Sequence, residues 1–310
     1  MKTEQPLRIV LAGGGGFLGH ALIQYMAHPV ASFTILSRKR GEQTKGAKTV
    51  WWDGEHTGDW CKEIDGADVL INLSGRSVDC RYTEKNKRDI LDSRLKSTAV
   101  LGEAINQVAK APKLWINCAS ATIHRHAEDK PMDDSNTEFG TGFSVDVCKR
   151  WEDAFAKCDT PATRKIVLRI SMVLGKQGGV LPVMMKLARR GLGGTMGSGH
   201  QYVSWLHEKD FAGIIAACIE HDDWEGTFNC SAPEPVPNRE FMRLIRQAAG
   251  MSFGLPAAAW MLEIGAVFLR TETELVLKSR RVVPSRLLQK GYSFQFKNAA
   301  DAITDLTQHH

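Results

Sequence analysis

The hydrophobic pattern of the chain opens with a short apolar run that leads directly into glycines. Residues 8–12 (Arg-Ile-Val-Leu-Ala) are followed by four glycines at 13–16, and from Phe17 the apolar positions recur at intervals of three and four. A run without polar alternation is typical of a strand buried in a parallel sheet, and the new interval is that of a helix. The pattern therefore predicts a strand, a tight turn and a helix, in that order.

Further apolar runs predict five more strands, at residues 33–36, 50–53, 67–73, 113–118 and 166–170. Segments long enough for helices connect several of them, and helical spacing predicts one long helix over 82–108. Alternating strands and helices favour a doubly wound parallel sheet, which binds its ligands at the carboxyl ends of the strands. The predicted fold class is therefore α/β, with a dinucleotide-binding sheet of the Rossmann type.

The glycine turn has the spacing of a dinucleotide-binding motif. Gly13, Gly16 and Gly19 are three residues apart, which lets the backbone approach a pyrophosphate and lets the helix pack closely on the strand. The N–H groups of the first helical turn would face the phosphates. A purely structural turn is disfavoured, because the flanking strand and helix are both predicted. We therefore assign six residues to the cofactor site: Gly13, Gly15, Gly16, Phe17, Leu18 and Gly19.

The end of the second predicted strand indicates which dinucleotide is bound. Ser37 and Arg38 stand there, with Lys39 and Arg40 directly after them and no acidic residue in this run. An acidic side chain would bind both ribose hydroxyls and repel a 2′-phosphate, whereas serine and arginine bind a phosphate. We therefore predict NADP(H) as the cofactor, in contact with Ser37 and Arg38. A solvated basic loop is the alternative interpretation.

Five more residues are expected at the cofactor. Asp53 follows the third strand, where such folds contact the adenine, and Leu73, Ser74 and Gly75 follow the fourth, where small residues let the chain pass the adenosine. Arg94, on the helix predicted over 82–108, is assigned to the same site.

Composition narrows the class of protein. The chain of 310 residues is 43% hydrophobic and 24% charged, as is usual for globular proteins, and its net charge of +5 is spread over 40 basic and 35 acidic residues. This distribution does not favour a nucleic-acid partner. No stretch approaches the ~18 consecutive apolar residues of a membrane span, and the first residues do not resemble a signal peptide. We therefore expect no membrane partner and a cytoplasmic location.

Cysteine and histidine patterns add little chemistry. The 7 cysteines include no C-x-x-C pair and are expected to be reduced thiols. His124-Arg-His126 has no second ligand pair nearby in sequence, so no metal site is predicted. The expected partner is a small-molecule substrate, and the sequence leaves open whether the protein is a monomer or a homodimer.

Four motifs give the chain a resemblance to a known superfamily: the turn at 13–19, Asn72-Leu-Ser-Gly75, Ser120-Ala-Thr-Ile123, and Arg169. With them the chain resembles the extended short-chain dehydrogenases/reductases, which include nucleotide-sugar epimerases and dehydratases. Further motifs are similar to its YfcH-like branch of epimerase family proteins: Ser93-Arg94 with Thr98, Cys148-x-x-Trp151-Glu152, Gly178-Gly179, the glycine-rich run 193–201, Trp205-x-His207-x-x-Asp210, and residues 235–306.

The resemblance implies a division of the chain and roles for several residues. An NADP-binding Rossmann domain would span 1–175, and a smaller mixed α/β lobe that binds substrate would span 176–310, with about 203–222 packing back on the first domain. Ser120 would orient the reacting hydroxyl or carbonyl group. Four residues would line the substrate pocket: Arg169, Gln201, Trp205 and His207. The basic run Arg280–Arg286 is interpreted as a solvated face in preference to an anion site.

The chain departs from the superfamily at its central helix. Relatives carry a tyrosine and a lysine four residues apart, and the lysine lowers the pKa of the tyrosine that transfers the proton. Aligned through Glu152, this chain has Ser144 and Cys148 at those positions. Ser144 has no evident base, and Cys148 is interpreted as a packing residue in preference to a reactive thiol. His124, of a residue type that titrates near neutrality, is the alternative proton donor.

Three functions are consistent with this pattern. The leading hypothesis is an NADP(H)-dependent oxidoreductase or epimerase-like enzyme acting on a small carbonyl or hydroxyl compound, with a proton donor other than the usual tyrosine. The alternative is a catalytically silent NADP(H)-binding sensor or partner-binding protein. An ordinary nucleotide-sugar epimerase is disfavoured, because those enzymes hold NAD and depend on the tyrosine.

Overall fold

A seven-stranded parallel sheet forms the centre of the molecule, which is described by a computed structural model over residues 6–26, 31–263 and 272–308. The strand order is β10-β6-β5-β4-β1-β2-β3, and every pair of neighbours is parallel. The predicted doubly wound α/β fold is therefore confirmed. The strands are β1 (Leu7–Ala12), β2 (Ala31–Ser37), β3 (Ala47–Trp51), β4 (Val69–Asn72), β5 (Leu114–Ser120), β6 (Arg164–Ile170) and β10 (Gly226–Cys230), and two small two-stranded sheets pair β7 (Met172–Leu174) with β9 (Trp205–His207) and β8 (Tyr202–Val203) with β11 (Val236–Pro237).

Helices cover both faces of the main sheet. They are α1 (Phe17–Met26), α2 (Cys61–Ile64), α3 (Glu84–Gln107), α4 (Phe143–Lys157), α5 (Leu181–Arg189), α6 (Glu208–Glu220), α7 (Asn238–Ala248), α8 (Glu274–Leu277), α9 (Ser285–Gln289) and α10 (Ala299–Thr307), and residues 259–263 are also helical. The long helix starts two residues later than predicted because the Thr83 hydroxyl accepts a hydrogen bond from Asn86 N and caps it. Tyr82 is thereby left outside the helix.

Alternate side chains of each central strand enter two separate hydrophobic clusters. On β1, Ile9 and Leu11 pack with α1 and α6, whereas Val10 and Ala12 pack with α3 and α4 on the opposite face. A third cluster holds α5, α7 and α10 together and forms the core of a smaller unit.

The position of β10 corrects one detail of the predicted division. Residues 226–230 fall within the stretch assigned to the lobe, yet they pair with β6 as the seventh strand of the main sheet. The segment 203–222 contains α6, which packs beside α1, and the Tyr25 hydroxyl donates to Glu208 Oε1 at 3.1 Å. The two-domain division itself stays a prediction.

The segment after α8 is fixed by hydrogen bonds to the loop after β5 and to residues 202–204. Ser279 N donates to His126 Nδ1 at 3.1 Å, Arg280 N to Tyr202 O at 2.9 Å, and Val282 N to Ser204 Oγ at 2.8 Å. This path brings Glu274 and Arg280, which lie late in the sequence, next to the first turn of α4.

Candidate functional site

A cleft of about 490 Å³ lies at the carboxyl ends of β1, β2 and β4. We call it the cofactor cleft. It is lined by Gly13, Gly15, Gly16, Ser37, Arg38, Lys39, Glu42, Trp52, Asp53, Gly54, Glu55, Leu73, Ser74, Gly75, Ser93, Lys96 and Ser97. Nine of the residues predicted at the cofactor are among these: Gly13, Gly15, Gly16, Ser37, Arg38, Asp53, Leu73, Ser74 and Gly75.

The glycines of the turn have different steric roles. Gly13 has a φ of 76°, which disfavours any residue with a side chain. A Cβ there would also lie 2.8 Å from Ser74 Cα, which is too close. A Cβ at Gly19 would overlap the Gly14 carbonyl, which explains how closely α1 approaches the turn. A Cβ at Gly16 would meet no described atom within 4 Å and would project into the cleft.

The first residues of α1 contribute through their backbone only. The Phe17 ring turns away from the cleft and packs against Gly178 and Gly179, and Leu18 packs against the core. The first amides of a helix have no intrahelical acceptor. Phe17 and Leu18 therefore remain candidates for phosphate binding by N–H groups, and their side chains are structural.

An acidic residue that the sequence analysis did not assign, Glu42, reaches the tip of β2 from the loop after the strand. The Ser37 hydroxyl donates to Glu42 Oε2, and this hydrogen bond, supported by Lys39, holds the pKa of the Glu42 carboxyl below its usual range. Lys39 N donates to Ser37 Oγ at 3.1 Å. Ser37 and Arg38, which are predicted to bind a phosphate, thus share the cleft with the carboxylates of Glu42, Asp53 and Glu55.

Arg94 is the exception among the predicted cofactor residues. Its Nη1 donates to Ile90 O at 2.9 Å and to Arg76 O at 3.1 Å, and its guanidinium lies 5.1 Å from the Trp151 ring centroid. It packs behind Gly75 and does not line the cofactor cleft. Arg94 therefore supports the turn after β4, which is a correction of its predicted contact with the cofactor.

The residues of the cofactor cleft fit a phosphorylated dinucleotide. Ser74 Oγ is buried and has no hydrogen-bond partner among the described residues, so it is available to a ligand. Gly13 and Gly16 leave room for close backbone approach, and Arg38, Lys39 and Lys96 supply positive charge.

Ser120 stands at the carboxyl end of β5, as the resemblance implied. Its Oγ donates to Thr122 Oγ1 at 3.0 Å and accepts from Thr122 N at 3.2 Å, which fixes the hydroxyl at the start of a short 3₁₀ helix over 121–123. A hydrogen bond also joins it to Cys148, whose pKa is raised to about 11 by burial. Cys148 is therefore a neutral thiol at neutral pH, which favours the packing interpretation.

His124 is buried and neutral. Asn229 Nδ2 donates to Met132 O and Val283 O, so its Oδ1 faces His124 Nε2 at 3.0 Å and accepts from it. Burial lowers the pKa of His124 to about 4. A histidine that is not protonated at neutral pH, and whose N–H is already used, does not fit the predicted role of proton donor.

Ser144 belongs to a buried polar group that the sequence did not reveal. The Tyr82 hydroxyl lies 3.1 Å from Ser144 Oγ, and Ser144 Oγ donates to Glu274 Oε2 at 3.0 Å. A serine has one hydroxyl hydrogen, so Tyr82 is the donor to Ser144. Lys278 Nζ donates to Glu274 Oε1 at 3.2 Å, and Arg280 lies 4.0 Å from the same oxygen. We call Tyr82, Ser144, Glu274, Lys278 and Arg280 the Tyr82 cluster.

Tyr82 places a phenol beside the position where relatives carry the catalytic tyrosine. The ring is held at 4.9 Å from the Phe143 ring, and burial is the main cause that raises the pKa of its hydroxyl. Ser144 and Cys148 are one helical turn apart, so Tyr82 and Ser120 approach the same face of α4. Tyr82, a tyrosine from a different segment, is therefore a further candidate for the proton donor.

The four predicted substrate residues are engaged within the protein. Arg169 binds Glu152 through two hydrogen bonds of 2.8 Å in a buried ion pair. Gln201 is buried, and its Nε2 donates to Met196 O at 2.7 Å. Both side chains hold the surrounding chain in place.

The predicted substrate-pocket positions of Trp205 and His207 need a larger correction. Trp205 is fully buried in the cluster of the smaller unit, and its Nε1 donates to Glu234 O at 3.0 Å. His207 caps α6 by accepting from Lys209 N at 2.9 Å, stacks on Phe296 at 3.9 Å, and has its pKa lowered to about 4 by burial. Neither side chain faces the cofactor cleft, because both are consumed by packing and capping.

A parallel sheet of order 3-2-1-4-5-6 with a glycine turn after its first strand defines a dinucleotide-binding protein of the Rossmann type. Comparison with known families is more specific. Residues 9–231 match the model of the NAD dependent epimerase/dehydratase family, and residues 257–306 match a domain of unknown function, DUF1731. The chain therefore belongs to the NAD dependent epimerase/dehydratase family, which confirms the resemblance.

Individual relatives extend over the full chain. The chain is 30% identical to epimerase family protein SDR39U1 of Bos taurus, across 97% of this chain and 99% of the relative. It is 26% identical to the chloroplastic SDR39U1 homolog of Arabidopsis thaliana, across 99% and 88%. The crystal structure of the human SDR39U1 protein (isoform 2) with NADPH superimposes with a TM-score of 0.87 at 29% identity, covering 97% of this chain and 99% of that one.

Among the described residues, no helix is both long enough and apolar enough to cross a membrane.

Proposed function

We propose that this protein binds NADP(H) and acts as an oxidoreductase or epimerase-like enzyme on a small carbonyl or hydroxyl compound. The cofactor cleft supports the first half of the proposal, because the tip of β2 presents Ser37 and Arg38 and the turn after β1 leaves space at Gly16. The human relative was crystallised with NADPH, which supports the same cofactor.

Each part of the cleft has a role in this proposal. The backbone at Gly13 to Gly16 and the first amides of α1 bind the pyrophosphate. Ser37 and Arg38 bind the 2′-phosphate, for which Glu42 has to give up its hydrogen bond with Ser37. Ser74 Oγ, buried without a partner among the described residues, binds the ligand near Gly75. The bound cofactor supplies or accepts the hydride.

One observation carries the catalytic half of the proposal, the hydrogen bond of 3.1 Å between Tyr82 and Ser144. It holds a phenol at the position where α4 has no tyrosine of its own. Burial raises the pKa of Tyr82, so the phenol is protonated at neutral pH and serves as an acid. Ser120 orients the carbonyl oxygen, and the Tyr82 O–H leaves its hydrogen bond with Ser144 to give that oxygen the proton it needs to become a hydroxyl.

The test is a panel of aldehydes, ketones and quinones mixed with the protein and NADPH, followed by the loss of NADPH absorbance. For any compound that is reduced, Tyr82→Phe should lower kcat by at least about 100-fold, as is typical for the loss of a general acid, and leave the Kd for NADPH within about twofold. Tyr25→Phe is the matched control, because that hydroxyl bonds Glu208 on the far side of the sheet. Unchanged turnover in Tyr82→Phe would exclude Tyr82 as the donor.

A second candidate function, a catalytically silent NADP(H)-binding sensor or partner-binding protein, is favoured by the position of Cys148. The superfamily lysine would stand there, and the neighbouring Lys149 Nζ instead donates to Gly140 O at 3.1 Å. Tight NADPH binding without turnover on the whole panel would favour this candidate. An ordinary nucleotide-sugar epimerase stays disfavoured, because Ser144 and Cys148 replace its tyrosine and lysine.

A cytoplasmic location and a monomeric or homodimeric state belong to the same proposal. The Arabidopsis thaliana relative is named as a chloroplastic homolog, so membership of the family does not by itself imply a cytoplasmic location. Cell fractionation and light scattering of the purified protein test the two points separately.

A further inference from the structure

Two buried arginines in this protein present the same edge of the guanidinium to very different surroundings. Arg169 uses Nε and Nη2 to bind both oxygens of Glu152, each at 2.8 Å. Arg280 has its Nε and Nη2 buried as well, and neither atom has a hydrogen-bond partner among the residues that the structure describes. These two nitrogens form the edge that binds a carboxylate with two parallel hydrogen bonds. Arg280 is therefore an arginine prepared for an oxyanion that the described chain does not supply.

The charges around Arg280 lead to the same conclusion. Glu274 is the acidic group beside it, but one oxygen of Glu274 accepts from Ser144 and the other from Lys278, and the latter oxygen is 4.0 Å from Arg280 Nη2. The Arg94 guanidinium is also buried, and its acceptors among the described residues are the carbonyl oxygens of Arg76 and Ile90. Glu274 thus lies near Lys278 and Arg280, while Nε and Nη2 of Arg280 stay buried without a hydrogen-bond acceptor among the described residues, which is costly.

The backbone holds Arg280 in place before any ligand arrives. Arg280 N donates to Tyr202 O at 2.9 Å, and the Ser204 hydroxyl donates to Arg280 O. Arg280 Nη2 lies 4.0 Å from Glu274 Oε1, and Glu274 Oε2 accepts from Ser144 in the first turn of α4, so the guanidinium lies near the proposed proton donor. Only 15% of the side chain is exposed, so a ligand bound there would be shielded from water.

We propose that Arg280 binds the carboxylate of a small oxo- or hydroxy-acid substrate, side-on through Nε and Nη2, next to Tyr82. This inference rests on the proposed function, because it names the substrate class of that site. A carboxylate is favoured over a phosphate dianion because Arg280 is the one cation of the Tyr82 cluster without a hydrogen-bonded acceptor in the described chain, and because Glu152 shows how a carboxylate fills this edge in the same protein.

The primary test measures binding and needs no turnover. The NADPH-loaded protein is titrated with glyoxylate, pyruvate, and the 2-, 3- and 4-carboxybenzaldehydes, and with the methyl ester of each acid, while NADPH fluorescence is recorded. At least one acid should bind tenfold more tightly than its ester, and Arg280→Met should abolish this difference. Arg281→Met is the matched control, because its guanidinium lies over the Tyr202 ring and bonds Asp129 O. Equal binding of acids and esters by the unmodified protein would overturn the proposal.

Two further readouts separate the possible failures. If acids bind in an Arg280-dependent way but no compound is reduced, the substrate-binding inference stands and the proposed catalytic function fails. If carbonyl compounds that carry a carboxylate are reduced equally well by the unmodified protein and Arg280→Met, the catalytic function stands and this inference fails. Inorganic phosphate is titrated in parallel, and tighter binding of phosphate than of every carboxylate would overturn the assignment to a carboxylate. The melting temperature of Arg280→Met, expected to be unchanged or raised, confirms that this variant is folded.

Discussion

The cofactor cleft and the Tyr82 cluster are built from the chain in opposite ways. Most of the lining of the cofactor cleft comes from short segments that follow β1, β2, β3 and β4, which are strands visible in the sequence, and the rest comes from α3. The Tyr82 cluster joins residues 62 and 130 positions apart, from a cap before α3, the start of α4 and a short helix near the C-terminus. The groups proposed to bind the cofactor therefore come mostly from strand ends, whereas the groups proposed to react are brought together over long range.

The two regions also differ in the charge of the buried polar atoms that have no partner among the described residues, which in the cofactor cleft is the neutral Ser74 hydroxyl. In the cofactor cleft, Glu42 holds Ser37, and Asp53 accepts from the backbone of Glu55 and His56. In the Tyr82 cluster, Arg280 keeps two buried donors without an acceptor in the described chain. Substitutions therefore should affect stability and ligand binding differently in the two places.

The largest effect is expected from leaving a partnered arginine unpaired. Glu152→Ala removes the carboxylate from Arg169 in a buried pair and should lower the free energy of unfolding by about 3 kcal/mol. Arg280→Met removes a buried cation that lies 4.0 Å from Glu274 Oε1 without a hydrogen bond to it, and should leave the free energy of unfolding unchanged or raise it. Urea denaturation of both variants checks the contrast. Equal losses in the two variants would mean that Arg280 is as well satisfied as Arg169.

The next effect concerns the turn of the cofactor cleft. Gly16→Ala should weaken NADPH binding by about 50-fold, because its Cβ projects into the cleft, and should change the free energy of unfolding by less than about 1 kcal/mol. Gly13→Ala, with a φ of 76° and Ser74 Cα at 2.8 Å, should destabilise the fold itself. Fluorescence titration and thermal melting measure the two quantities. Normal NADPH affinity in Gly16→Ala would place the pyrophosphate elsewhere.

Cofactor choice gives a smaller effect. Arg38→Ala should weaken NADPH binding by about 20-fold and leave NADH binding unchanged, because one charge-assisted hydrogen bond with the 2′-phosphate is lost. Arg40→Ala is the control, since Arg40 lies over the Trp51 ring at 3.9 Å. Parallel loss of NADH affinity in Arg38→Ala would contradict the assignment to the phosphate.

The smallest effect comes from His124, at the end of β5. Its pKa is about 4 in the folded protein and about 6.5 in an unfolded chain, so the unfolded state gains protons first as the pH falls. The stability that His124 contributes is complete above pH 6.5 and is lost between pH 6.5 and 4, by about 1 kcal/mol between pH 7 and 5.5. His124→Gln should reduce this pH dependence in urea denaturation. An identical profile in the variant would show that other groups cause it.

The sequence predicted the fold and most of the cofactor cleft because their signals are local. The strand, the glycine turn and the helix are consecutive, and Ser37 and Arg38 directly follow a strand. Glu42 was missed because it reaches Ser37 from a loop without regular spacing. A contact with a carboxylate five residues away has no pattern of its own.

The rest of the site could not be predicted for two physical reasons. Tyr82 and Glu274 meet Ser144 only after the sheet and the C-terminal segment have packed, and no interval in the sequence encodes that contact. The predicted substrate contacts of Trp205 and His207 were wrong for a different reason. Their motif marks family membership, but the Trp205 side chain packs in a core and the His207 side chain caps α6. The one local clue to Tyr82 was Thr83, which caps the N-terminus of α3 and so leaves Tyr82 outside the helix.

The contact between Phe17 and the glycines after β7 limits how parts of this protein can be exchanged. Side chains at Gly175, Gly178 or Gly179 would overlap the Phe17 ring or press on it, and that ring starts the helix whose amides face the cofactor cleft. A chimaera that takes the 175–179 loop from a relative without these glycines would displace the helix start as well. The 175–179 loop and Phe17 should therefore be exchanged together or kept together in any chimaera.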